Sequence, residues 1–542
     1  MSSLARATAV MSVGTVLSRA TGLLRITAIV AALGVVEDRV TDTYNLANTA
    51  PNIIYELVLG GILTSVFVPV FVELLEKEGR ERAWEVVSAI VNLSIVALTA
   101  IAVIGILAAP LISKLYALRF AGPEAELQRE TLTFLLRLFI PQIIFYGLAA
   151  ITAGMLNAHR RFGAPMYTPI LNNLAVIAVF VGFRQAYGAV SLDELDTPKL
   201  LLIGLGTTAG VAIMALAQLP FLKGVSRYRL AWDPTHPSVK KLMRLSVFVV
   251  GYVIVNQIGY LVVQLLAAPQ QGGYSAYVYA FTFFMLPHGL FAVSVITALL
   301  PAMSEHAVHE RWDQYRERLS IGVRATILLV LPAAVGYLVL GGPIVRLLIE
   351  YGRVTSASTE LVAGVLQLFV LGLVPFALFQ LFLRGFYAIH DTKTPFLINC
   401  GAVALNTAIN IPMFAAFQVK GLAAGHAIAY TFGVILQGRA LSRRVGGIDG
   451  RAVARSTVRI AAAGAGMGVL VWLASAATGL VVQEDEFSGA ALTVIVPVGV
   501  GIISYLGLAH LFRVKELDFV RGILGRRARN EPNTQDTPTA GR

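Results

Sequence analysis

Apolar residues in this chain come in long unbroken runs rather than in alternation. From residue 8 to residue 512, stretches of roughly 20 apolar residues recur with short polar segments between them, and each stretch is long enough to cross a bilayer as a helix. The runs fall near 8–35, 43–75, 84–111, 129–156, 165–186, 199–222, 241–267, 274–303, 320–342, 358–389, 395–416, 421–442, 454–479 and 489–512. The pattern predicts an all-α polytopic membrane protein with about fourteen spans. A transmembrane barrel needs strands of about ten residues with apolar and polar positions alternating, and that pattern is absent.

Composition agrees. Only 14% of the 542 residues are charged, against about 25% in soluble domains. The net charge of +12 is not a nucleic-acid signature, because the basic residues gather in every second loop. Lys77, Arg80 and Arg82 form one such cluster, and Arg160 with Arg161 another. The segments "KGVSRYRLAWDPTHPSVKKLMR", "SRRVGGIDGRAVAR" and "RVKELDFVRGILGRRARN" continue the series. The alternate loops, "SLDELD", "APQQGGYS" and "VVQEDEF", are acidic or sparsely charged. This bias predicts both termini in the cytoplasm. The first apolar run is too long for a cleavable signal peptide, so none is expected. The single cysteine, Cys400, excludes a disulfide framework. There is no phosphate-binding glycine loop and no His/Cys metal motif. A transporter is expected, not an enzyme, with no cofactor beyond an open question of a coupling ion.

Two pairs of segments resemble each other at an offset of roughly 235 residues. In "GMLNAHRRFGAPMYTPILNN" and "GFYAIHDTKTPFLINC", His159 pairs with His390, Pro169 with Pro395 and Asn172 with Asn399. In the second pair, Pro51 and Pro69 correspond to Pro287 and Pro301. Six spans is an even number, so the copies insert in the same sense and predict two lobes related by an axis along the membrane normal. The expected units are 1–222 and 223–444 as six-helix lobes, 445–514 as two further spans, and 515–542 as a basic and disordered cytoplasmic tail.

Charges within apolar runs are costly, about 2.5–3.5 kcal/mol each on insertion scales, and so mark function or pairing. Arg19 and Arg25 lie well inside the first run, beside Ser18, Thr21 and Gly22. Two readings stand: a buried pairing with Glu56, or a cationic cavity wall for an anionic headgroup, for which arginine's planar fork is suited. Arg137 in the fourth span either lines the cavity or reaches outward. Asn256 either faces the cavity or joins helices, and Asp42 opens the second span.

The segments "SRATGLLR", "TDTYNLANTAPN", "GGILTSVFVPVF", "AGMLNAHRRFGAPMYTPILNN", "GLFAVSVITALLPAMSEHA" and "RGFYAIHDTKTPF" follow one another in an order that resembles the MurJ/MviN family of lipid II flippases. The resemblance implies fourteen helices, a cationic central cavity, and a groove formed partly by the last two spans for a polyprenyl tail. It implies that Arg19 and Arg25 are functionally important and that Asp42 matches the family's acidic residue before span two. It also marks departures: Tyr55 and Glu56 stand where relatives often carry arginine after "PN", and Thr282 stands at another arginine position.

The candidate headgroup set is therefore Arg19, Arg25, Ser18, Asp42, Asn52, Tyr55, Glu56, Arg137, Asn256 and Thr282. Gly22, Pro51, Gly60, Gly61 and Pro287 are candidate hinges. The implied partners are a polyprenyl-pyrophosphate lipid, the bilayer of a bacterial cytoplasmic membrane and other wall-synthesis proteins, with the chain itself a monomer. The rival expectations are an exporter of another polyprenyl-linked oligosaccharide or of drugs, and a non-transporting scaffold.

Overall fold

The computed structural model describes residues 3–56, 79–120, 122–159, 161, 163–223, 228–233, 235–482, 487–514 and 516–517. Among the described residues the fold is entirely helical, with no strand. The N-terminal half contains α1 (Ser3–Leu33), α2 (Val40–Glu56), α3 (Gly79–Tyr116), α4 (Ala125–Phe139), α5 (Gln142–Ala158), α6 (Gly163–Tyr187) and α7 (Thr197–Leu216). The C-terminal half contains α8 (Pro237–Ala267), α9 (Gly273–Pro287), a π turn at His288–Ala292, α10 (Val293–Val308), α11 (Trp312–Ile349), α12 (Ser356–Val370), α13 (Leu373–Ala388), α14 (Lys393–Phe417) and α15 (Val419–Val445). Two further helices follow, α16 (Gly450–Val481) and α17 (Phe487–Leu511).

Eleven helical runs among the described residues are long and apolar enough to cross a membrane, and the bent pair α12–α13 makes a twelfth. With α2 and α8 the arrangement is consistent with fourteen spans. The protein is a multi-pass membrane protein. Its outer surface carries apolar side chains such as Leu107 on α3 and Ile503 on α17, exposed at 77% and 76%, as a lipid-facing surface requires.

Two of the expected spans are broken. The run at 129–156 divides into α4 and α5 at Ile140–Pro141, and the run at 358–389 divides into α12 and α13 with a bend of 49°. Proline explains both breaks. Pro141 and Pro375 have no N–H to give to the carbonyls of Arg137 and Leu371, so the i→i−4 ladder fails there. The two prolines are 234 residues apart, the same offset as the sequence repeat. The turns that follow α5 and α13 also match: Arg161 N–H bonds Leu156 O at 2.9 Å, and Asp391 N–H bonds Phe386 O at 3.0 Å, both i→i−5 closures of a helix C-terminus.

Of the expected hinges, Pro51 is buried within α2, and Pro287 immediately precedes the π turn. Gly22 packs near Asn173 of α6 with room to spare, since a Cβ there would come no nearer than 3.7 Å to it. Gly60, Gly61 and Pro69, and the side chains of Tyr55 and Glu56, lie outside the described residues.

The two halves meet along α1–α11, α2–α9 and α3–α8. The closest polar contacts between them lie at the end of the bundle opposite the chain termini. Asp42 accepts from Gly272 N–H at 2.8 Å, Ser275 N–H at 2.8 Å and Ser275 Oγ–H at 2.6 Å. Glu37 accepts from Thr355 N–H at 2.7 Å, Thr355 Oγ–H at 2.6 Å and Ser358 Oγ–H at 2.8 Å. Arg39 donates to the carbonyls of Ala268 and Pro269, and Arg353 bonds Val190 O and faces Asp38 at 3.6 Å. Gly272 adopts a φ of +71°, and a Cβ there would sit 2.6 Å from Val35 O, so the close approach of the two backbones depends on this glycine. The bundle is thus sealed at this end by contacts from one half to the other.

Candidate functional site

Beneath the seal, between α1, α2, α5, α6, α7 and α9, lies a cavity of about 130 Å³. Its chief cation is Arg25. The Nε of Arg25 is buried and has no hydrogen-bond partner, and neither Arg25 nor Arg19 forms a hydrogen bond or ion pair among the described residues. A half-buried guanidinium with a buried, unpartnered Nε and no counterion is a costly feature, and it leaves the site poised for an anion.

The facing wall is a stripe on α2. Asn45, Asn48, Thr49 and Asn52 are spaced i, i+3, i+4, i+7 and therefore share one helical face. Asn45 reaches across the cavity roof, donating to Ser275 Oγ at 2.9 Å and to Tyr279 OH at 3.1 Å, while Thr49 pairs with Tyr274 OH at 2.6 Å. Asn52 donates to Asn48 O at 2.8 Å, which leaves the buried Oδ1 of Asn48 without a partner. Asn172 of α6 also presents a buried Oδ1 without a partner. Tyr44 bonds Thr207 at 3.0 Å and is held edge-on by Phe139 and Phe180. Thr282 of α9 completes the wall, its hydroxyl turned back to Val278 O at 2.9 Å.

The expected site residues divide as follows. Arg25, Asn52 and Thr282 line the cavity. Arg19, about 9 Å nearer the termini along α1, is exposed and not part of this wall. Its guanidinium lies over the π turn, where a Cβ on Gly289 would come within 3.3 Å of Nη2. Ser18 is half-buried, and its carbonyl accepts from Asn173 at 3.2 Å, a tie between α1 and α6.

Three of the candidate residues lie outside the cavity wall in this conformation. Asp42 is 2% exposed and fully engaged by α9, so it belongs to the seal rather than to the cavity wall. Arg137 is exposed: the buried face of α4 runs through Leu132, Leu135, Leu136 and Phe139, which turns Arg137 away from the interior. Asn256 is half-buried on α8, outside the cavity lining. The residues that the sequence reading missed are Asn45, Asn48 and Thr49 of the stripe, Tyr44, Tyr146, Thr207 and Tyr279. The stripe carried a usable signal in its helical spacing; the others sit on otherwise apolar helices and carried none.

The contacts of Asp42, Glu37, Arg39 and Arg353 lie above this cavity, so the conformation is closed at the seal end.

The chain was compared with known proteins. The family described as "Lipid II flippase MurJ" matches residues 29–484. A probable lipid II flippase MurJ from Rhizobium meliloti (strain 1021) is 31% identical over 414 residues, 76% of this chain and 76% of that protein. A probable lipid II flippase MurJ from Vibrio cholerae is 27% identical and spans 94% of this chain and 96% of its own length. Among solved structures, a lipid II flippase MurJ in an inward closed conformation superposes with a TM-score of 0.74 at 23% identity, covering 94% of this chain and 99% of that one. An inward-facing MATE-family multidrug transporter gives a TM-score of 0.62 at 14% identity, covering 78% and 98%. With a family match over most of its length, this chain belongs to the lipid II flippase MurJ family.

Proposed function

We propose that the protein moves lipid II, an undecaprenyl-pyrophosphate-linked peptidoglycan precursor, from the inner to the outer leaflet of a bacterial cytoplasmic membrane. The observation that carries this reading is Arg25: a half-buried guanidinium, its Nε buried and unpartnered, facing carboxamide and hydroxyl groups in a cavity between the two halves. Pyrophosphate matches a guanidinium fork, and the neighbouring asparagines and threonines suit sugar hydroxyls and peptide groups. Arg19, exposed nearer the termini, is the first cation an entering headgroup meets. The basic loops support an orientation with both termini in the cytoplasm, which puts the polar seal on the outer side in this reading.

In this reading the halves 1–222 and 223–444 act as two lobes that rock about the cavity, with the breaks at Pro141 and Pro375 and the π turn after Pro287 as points of bending. Helices α16 and α17 carry the polyprenyl tail, and the chain works as a monomer. Breaking the seal at Asp42 and Glu37 opens the outer side. The membrane potential favours or opposes each charged step by about 2.3 kcal/mol per charge per 100 mV.

A drug exporter of the MATE type is disfavoured, because a cationic drug needs a carboxylate and the described cavity wall offers a guanidinium. Thr282 and the Tyr55–Glu56 positions, where arginines are common in relatives, favour a variant headgroup as the second reading. The test is depletion in the native host followed by scoring the leaflet that holds lipid II. Loss of outer-leaflet lipid II is expected, with rescue by wild type but not by Arg25→Ala. Normal delivery on depletion in a host with no second flippase refutes the proposal.

A further inference from the structure

The π turn that follows Pro287 sets an ionisable side chain, His288, inside the bundle. Its ring is 6% exposed and packs edge-on against Phe376 of α13, with centroids 4.8 Å apart. The Nδ1 atom is buried without a partner, and the ring makes no hydrogen bond among the described residues. Buried polar groups are nearly always hydrogen-bonded, so an imidazole left with its capacity unused calls for an explanation. π turns themselves recur at functional sites. Arg19 of α1 lies over the same turn. Three atoms of its guanidinium fall within 4.0 Å of where a Cβ on Gly289 would stand, Nη2 nearest at 3.3 Å, so the bare backbone at 289 leaves room for it. Arg19 has no hydrogen bond or ion pair among the described residues, and it is the charged group that acts on the His288 ring.

The elements packed on the turn bring no counterion. Helix α1 carries no carboxylate, α9 carries no charged residue, and α10 has none before Glu305, more than four turns from His288. On α11, Tyr337 OH bonds Phe283 O at 3.1 Å and Arg324 is held by Glu516 at 2.9 Å. On α13, Arg384 lies over the Tyr387 ring at 5.7 Å, about two turns beyond Phe376. His426 of α15 stands behind Phe376, its ring centroid 6.1 Å from that ring.

We infer that Arg19 and His288 form an entry site for the pyrophosphate of a polyprenyl lipid on its way to Arg25, and that His288 takes up a proton from solvent as the anion arrives. Without an anion, a proton on the ring would share the turn with an unanswered guanidinium. A phosphate held by Arg19 turns that repulsion into attraction, and the imidazolium becomes a second donor to the same phosphate. No covalent bond other than the N–H of the imidazolium is made. The inference rests on the lipid II reading above and adds to it a pH dependence that an arginine, always charged, cannot supply.

The test is lipid II binding to the full chain in detergent at pH 6 and pH 8. A pyrophosphate diester stays fully ionised over this range, so a change in affinity belongs to the protein. The measurement is made in wild type and in Arg25→Ala, where the entry site is the one that remains. In Arg25→Ala, affinity should be about tenfold higher at pH 6 than at pH 8, the signature of linked proton uptake. Adding His288→Phe, which keeps a ring against Phe376, should remove the pH dependence and leave the weaker, pH 8 affinity at both values. Adding His288→Asn, which keeps a donor that does not titrate, should give an intermediate affinity with no pH dependence. Adding Arg19→Ala should weaken binding at both values. A merely structural role for His288 would move the affinity equally at both. The same pH dependence with and without His288→Phe overturns the inference and leaves the lipid II reading standing. Failure of wild type to bind lipid II at either pH overturns both.

Discussion

Replacing Asp42 with alanine should open the sealed end of the bundle. Three donors from α9 converge on its carboxylate, at 2.8, 2.8 and 2.6 Å, and the residue is 2% exposed. Hydrogen bonds to a charged group contribute about 1.5–3 kcal/mol each. They share one acceptor and are not additive, and Ser275 Oγ–H can turn elsewhere. The two backbone N–H groups cannot, and they remain buried without partners while the halves stay together. A loss of about 3 kcal/mol in the sealed state follows, and water satisfies the same donors once the halves part. That is roughly a 150-fold shift toward the arrangement open at the seal end. Ser275→Ala, which removes one hydroxyl donor to that carboxylate and leaves the two backbone N–H bonds, should shift it about tenfold, the low end of the range for one such bond. The assay is a spin-label distance between Asp193 in the α6–α7 loop and Ala357 on α12, both exposed and in opposite halves, in a Cys400→Ser background. A long-distance population should dominate in Asp42→Ala and be minor in wild type. An unchanged distance distribution would refute the idea that these contacts hold the seal.

Glu37 should make the seal acid-sensitive. Burial pushes its carboxyl up, but hydrogen bonds from Thr355, Val35 and Ser358 outweigh this and hold it below the ordinary 4.5. A lowered carboxylate stabilises the sealed state above pH 4.5 and loses that contribution as pH falls through its depressed value. The same spin labels should report opening at acid pH in wild type, and Glu37→Gln should flatten that dependence. Gly272→Ala places a side chain on a left-handed backbone and against Val35 O, so it should also favour the open form, read by the same distance. At the end of the bundle opposite the seal, Glu516 is 6% exposed and holds Arg324 at 2.9 Å while accepting from Ser456 at 2.8 Å, which bolts the segment after α17 to α11 and α16. Glu516→Ala leaves Arg324 unmatched and should lower stability in detergent by about 2–3 kcal/mol, seen as a reduced Tm.

The spans were legible because hydropathy depends only on local composition. The run at 165–186 became α6 at Gly163–Tyr187, and that at 421–442 became α15 at Val419–Val445. A bend at Pro375 was expected from a proline inside an apolar run, and the structure has it; the break at Pro141 was not foreseen, because a proline leaves hydropathy unchanged and acts only through its missing N–H. Arg25 was legible because a charge in an apolar run needs an explanation. Arg137 stood out for the same reason, but the phase of α4, set by Leu132, Leu135, Leu136 and Phe139, already turned it outward. The seal was not legible at all. Its donors are backbone groups of Gly272, Ser275 and Thr355, brought to Asp42 and Glu37 from more than 200 residues away, and no local pattern encodes such pairing.

The most direct test is of Arg25 itself: binding of lipid II to the purified protein, wild type against Arg25→Ala and Arg25→Lys. Removal of a charge-assisted, bidentate contact in a desolvated cavity should weaken binding at least tenfold in Arg25→Ala, with Arg25→Lys between the two, because lysine keeps the charge and loses the fork. Equal affinity for all three proteins would contradict the claim that this guanidinium receives the pyrophosphate.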